Sequence, residues 1–68
     1  MNTTIIRGVN NFNLIKLNHS EMYRVEYGTQ YSYWLYSEDK DKLIDLSNND
    51  FEQNCKELLE LVNAQNGS

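Results

Sequence analysis

Sixty-eight residues, 40% of them apolar, 24% charged and none of them proline, make one small domain at most. A chain this short buries only about 60% of the surface it exposes when unfolded, which excludes two-domain enzymes, dinucleotide-binding folds, closed barrels and repeat arrays. The formal charge of −4 opposes general duplex-DNA binding, which needs a basic footprint to displace counterions.

The chain opens on a β-branched run, residues 3–9, that reads as a strand. Asn10 and Asn11 follow as a turn, because asparagine tolerates the left-handed region. Residues 12–17 read as a second strand, and 18–21 as a polar turn. Residues 22–27 alternate strictly, with Tyr23, Val25 and Tyr27 on one side. Residues 31–37 are aromatic almost throughout and read as the return strand of a hairpin.

Two registers compete for that hairpin. A two-residue Gly28-Thr29 loop suits a type II′ turn but sets Val25 opposite Ser32 and mixes the faces. A three-residue loop pairs Tyr27 with Tyr31, Val25 with Tyr33 and Tyr23 with Leu35, which keeps one face apolar. A one-residue slip flips every side chain, so face purity selects the three-residue loop. That register puts Met22, Arg24, Trp34 and Tyr36 on the face away from the core.

Residues 38–42 read as a charged turn and 43–46 as a short edge strand, the alternative being a brief helix capped by Ser37. Phe51, Cys55, Leu58, Leu59 and Val62 then form one stripe of an amphipathic helix. Asn49 and Glu52 have the spacing of a capping box, and Gly67 is a stop signal. The expected fold is α+β: a small antiparallel β-meander of 4–5 strands with one C-terminal amphipathic helix packed on one face. The stripe is expected to dock on Tyr23, Val25, Tyr27, Tyr33 and Leu35.

Charge is divided unevenly, +1 over residues 1–37 and −5 over 38–68. The single cysteine cannot form an internal disulfide and no apolar run reaches membrane-spanning length, so a cytoplasmic location away from membranes is expected. Ten asparagines and five tyrosines suit a low-GC genome, bacterial or phage, and produce three glycosylation sequons by chance. Cys55 on the apolar stripe reads as a small buried hydrophobe, and His19 as a solvated turn residue. Asp39, Asp41 and Asp45 are interleaved with Lys40 and Lys42 and lack the further ligands and turn glycine of a calcium loop. No catalytic residue, metal or cofactor is therefore assigned.

The unusual feature is the aromatic cluster between residues 23 and 36, five tyrosines and one tryptophan. Met22, Arg24, Trp34 and Tyr36 are residue types enriched in protein interfaces. Asp39, Asp41, Asp50, Glu52, Glu57 and Glu60 would steer a basic partner toward them. The functional expectation is a non-enzymatic protein-binding module, of the kind that phages and mobile elements encode to inhibit host nucleic-acid enzymes. Three alternatives stand beside it. The exposed aromatics would also stack single-stranded bases. A chain this small gains stability by homo-oligomerising, and Leu61 lies off the main stripe. An Arg24–Trp34 cation–π contact would serve the sheet alone.

Overall fold

The computed structural model describes residues 2–44 and 49–66. Five antiparallel strands come first: β1 (Thr3–Val9), β2 (Phe12–Leu17), β3 (Met22–Tyr27), β4 (Gln30–Tyr31) and β5 (Leu35–Tyr36). Two helices follow, α1 (Ser37–Leu43) and α2 (Phe51–Asn66). The sheet is a meander in the order β1-β2-β3, with β4 and β5 both on the free edge of β3. The expected α+β architecture stands, with a second short helix added to it.

The first three strands have the bounds that the sequence predicts. Val9 pairs with Phe12, so Asn10 and Asn11 form a two-residue loop, and both take positive φ, 49° and 72°. That is the backbone a type I′ turn requires and asparagine accepts. His19, at φ 64°, turns the chain from β2 to β3. In β1 the register shifts between Ile5 and Arg7, so Ile6 is an extra, bulged residue. The bulge keeps Arg7 on the same side as its partner Leu14.

The second hairpin uses both registers. At the turn, Tyr27 pairs with Gln30 and Glu26 with Tyr31, the two-residue Gly28-Thr29 loop. Gly28 supplies the positive φ, 60°, that the first position of such a turn demands. Farther along, Tyr23 pairs with Leu35 and Met22 with Tyr36, the register of the longer loop. The single residue of slip is absorbed over residues 32–34, which carry no strand pairing. The expected pairs Tyr27–Tyr31 and Val25–Tyr33 do not form. Ser32 instead faces Val25: its amide donates to the Val25 carbonyl (2.9 Å), and its Oγ accepts from the Val25 amide (3.0 Å). The hydroxyl in turn donates to the Tyr33 carbonyl (2.9 Å). A serine side chain thus replaces one backbone rung, which is why a polar residue is tolerated 1% exposed.

The charged segment expected as a turn is helix α1. Ser37 is its first residue and not its cap; Tyr36 precedes it in extended conformation without a side-chain cap bond. Leu43 ends the helix, Ile44 is buried, and residues 45 and 46 of the expected edge strand lie outside the described residues. Lys40, expected in solvent, is buried against the sheet with its Nζ 4.7 Å from the Tyr23 ring centre and paired with Asp41.

Helix α2 begins one residue later than the capping signal places it. The Asn54 amide donates to the Asp50 carbonyl (2.8 Å), which makes Asp50 the N-cap residue. The Glu52 carboxylate accepts from Asn10 Nδ2 across the domain, tying the helix start to the first turn. Gly67 lies outside the described residues. All five stripe residues are buried. Four of them, Phe51, Cys55, Leu58 and Leu59, form one cluster with Leu14, Val25, Leu35 and Ile44, with Val9, Phe12 and Tyr23 at the margin. Tyr27 and Tyr33, expected in this core, are 39% and 44% exposed: Tyr27 lies on the helix side at its margin, opposite Phe12 and stacked on it, and Tyr33 falls in the unpaired stretch where the register slips, while Leu14 and Ile44 join the core.

Candidate functional site

Residues opposite one another in a ladder share a face. The registers therefore sort the sheet into two sides. The inner side carries Leu14, Val25 and Leu35 beneath α1 and α2. The outer side carries Ile5, Ile15, Arg24, Tyr31, Trp34 and Tyr36, with Met22 opposite Tyr36. Among the described residues no helix packs on that outer side.

The structure brings Met22, Arg24, Trp34 and Tyr36 together on the outer face as the alternation predicts. Arg24 organises it. Its guanidinium carbon lies 4.6 Å from the Trp34 ring centre and 4.7 Å from that of Tyr31. Its Nε and one terminal nitrogen both donate to Glu26 Oε2, at 3.0 and 2.7 Å. The Arg24 charge is thus neutralised in place, and the two rings are held at fixed positions around it. On the same face Ile15, opposite Arg24, is only 4% exposed, although it stands outside the main core cluster. With no helix above it, its cover comes from neighbouring side chains, Arg24 and Ile5 being its ladder partners.

Two members of this face escape the sequence reading. Tyr31 was assigned to the core by the longer loop; the Gly28-Thr29 turn signal moves it to the outer face, where it is 60% exposed. Ile5, 63% exposed, follows from the β1–β2 register. Tyr36 completes the patch at 66% exposed, while Met22, Arg24 and Trp34 are half-buried.

The acidic residues do not join this face. Asp39 and Asp41 lie on α1, and Glu52, Glu57 and Glu60 on α2, with Asp50 at its start, all in the layer that covers the opposite side of the sheet. Asp41 is paired with Lys40, Glu52 is engaged by Asn10, and Glu57 accepts from Gln53 Nε2 at 3.2 Å. Glu52, Lys56 and Glu60 line an open groove of about 310 Å³ whose floor includes Leu59 and the stacked rings of Phe12 and Tyr27, 4.1 Å apart. These acids and the Arg24, Tyr31 and Trp34 cluster are therefore on two surfaces, while Tyr36 at the edge shares a pocket of about 370 Å³ with Glu21, Ser37 and Glu38.

Cys55 is fully buried, and loss of water around it pushes its thiol from the ordinary 9.0 up to about 11, opposed by Arg7 and aided by Glu52. It is a protonated core residue at neutral pH, without thiolate character. Among the described residues no three histidine, cysteine or carboxylate groups cluster to hold a metal ion, and no helix is long and apolar enough to cross a membrane. No family model, curated protein or solved structure matches this chain.

Proposed function

We propose that this protein is a non-enzymatic protein-binding module whose contact surface is the outer face of the sheet. The observation that carries the reading is that Ile5, Tyr31 and Tyr36 stand about two-thirds exposed around an Arg24–Trp34 contact, with no helix packed over them among the described residues. Aromatic rings already held in place lose little freedom when a partner arrives, which favours them as anchors. Trp34→Ala and Tyr36→Ala should each weaken partner capture by about 2 kcal/mol or more. Unchanged capture by both variants would remove the face from the account.

A basic partner belongs to the other surface. Glu57, Glu60 and Asp39 on the helical layer suit the basic groove of a nucleic-acid enzyme, so the inhibitor reading attaches to α1 and α2. Its association rate should fall steeply with salt, because exposed charges are screened beyond about 8 Å at physiological ionic strength; a flat response removes it. Base stacking on the outer face is disfavoured. Arg24 is the only basic side chain that the ladders put there, and it is spent on Glu26; Lys16 and Arg7 face the helices.

A further inference from the structure

The reading above leaves the occupant of the outer face open. Resting on that reading, we infer that the occupant is a second copy of this chain, packed sheet on sheet with the helices of both copies outermost.

Charge disposition is the first reason. Arg24 and Glu26 are the only charged side chains that the strand registers place on this face, and they cancel in a 2.7 Å ion pair. The net charge of −4 is therefore carried off the ladders of this face, on the helical layer and the turns, where Glu21 and Glu38 line a pocket with Tyr36 at the edge of the face. A basic protein is drawn to the helices. The outer face fits a neutral surface rich in tyrosine and isoleucine, and a second copy presents one. Packing two copies face to face sets the sheets about 10 Å apart, with each acidic layer on the far side of its own sheet. The two negative layers are then separated by more than the ~8 Å screening length. Pairing through the helices does the reverse: Leu61, the exposed apolar residue on α2, is flanked by Glu57 and Glu60 and would bring like charges together.

Area is the second reason. Two tyrosines at about two-thirds exposure leave roughly 250 Å² in water, taking about 200 Å² for a whole aromatic side chain. With Ile5, Trp34, Met22 and Arg24 the face reaches on the order of 600 Å² per copy, about the lower bound of specific two-fold interfaces. The dimer is accordingly reversible and depends on concentration.

Sedimentation equilibrium of the intact chain from about 1 μM to about 1 mM brackets the affinities expected of such a contact. A monomer–dimer equilibrium should appear. Tyr36→Glu and Ile5→Glu should each weaken it at least tenfold, and Leu61→Glu less than twofold. Tyr36 and Ile5 lie outside the core, and circular dichroism with thermal melting verifies that each variant is folded; should one fail, Tyr36→Ser removes the ring without adding charge. Raising salt should leave the dimer intact. A strict monomer at every concentration overturns the inference, as does a dimer broken by Leu61→Glu or by salt while both outer-face variants retain it. Failure here is separable from failure of the broader reading. A monomer that still captures another protein through Trp34 and Tyr36 rejects self-pairing and keeps the binding face.

Discussion

The two sides of this sheet are built from similar residues and held by different physics. On the inner side Leu14, Val25 and Leu35 lie under α2, and burial comes from a second layer of structure. On the outer side Ile15 is almost as deeply buried without one. There Ile15 has Arg24 and Ile5 as ladder partners, and Arg24 forms a side-chain raft with Tyr31 and Trp34 on the same face of a single strand layer. The inner side spends its aromatic and aliphatic surface on stability. The outer side stops short, leaving Tyr36, Tyr31 and Ile5 in water after Ile15 has been covered. A small domain with one helical layer can complete only one face, and the unfinished face is where a partner gains most.

The largest effect should fall on the inner side. Leu14→Ala removes a fully buried side chain and should cost about 3 kcal/mol, a large part of the stability of a chain this short. Denaturant unfolding measures it, and labelling of Cys55 gives a second readout. The buried thiol should react only through unfolding, so its modification should accelerate in the variant. Loss of less than 1 kcal/mol would mean that α2 and β2 are not tightly packed.

Next comes the seam where the two registers meet. Ser32→Ala leaves the Val25 amide without its Oγ acceptor in a buried setting, and should cost about 2 kcal/mol. A neutral result would show that the strand slips into one continuous register once the hydroxyl is gone. Hydrogen exchange at the Val25 amide distinguishes the two, since a lost acceptor raises its exchange rate and a repaired ladder does not.

The raft should matter less. Arg24→Ala should cost about 1 kcal/mol, because the cation–π contacts are partly exposed and the Glu26 pair is a surface one. It should also unclamp Trp34, seen as a red shift and lower anisotropy of its fluorescence. A loss above 3 kcal/mol would move Arg24 from the binding face into the core account.

Smallest is Tyr36→Ala, which should change stability by less than about 0.5 kcal/mol, as surface substitutions do. Coupled with loss of association, that result marks the outer face as kept for contact. A large destabilisation would erase the contrast between the sides.

Much of this was legible along the chain. The strands at residues 3–9, 12–17 and 22–27 show themselves because β-branched content and, in residues 22–27, alternation of period two are local properties. So does the α2 stripe from Phe51 to Val62, whose 3.6 period needs no knowledge of what it meets. The paired asparagines at 10 and 11 predict their own turn. The outer placement of Met22, Arg24, Trp34 and Tyr36 was also readable, because the far end of the second hairpin keeps the register that purity of faces selects.

Three things needed the tertiary structure. Turn chemistry at Gly28 and face purity at Leu35 demand different registers, and only the folded hairpin could satisfy both, by slipping at Ser32 and giving its hydroxyl a backbone's task. Residues 37–43 carry no apolar period, so their helicity comes from packing: Lys40 is held over Tyr23, and Ile44 enters the core. The acids and the aromatics are neighbours in sequence, yet α1 and α2 fold back over the inner side and set Asp39, Asp41 and the α2 acids apart from Arg24, Tyr31 and Trp34. Local patterns name strands, helices and turns, because those depend on near neighbours. Which face a residue shares, and with whom, depends on where distant segments land.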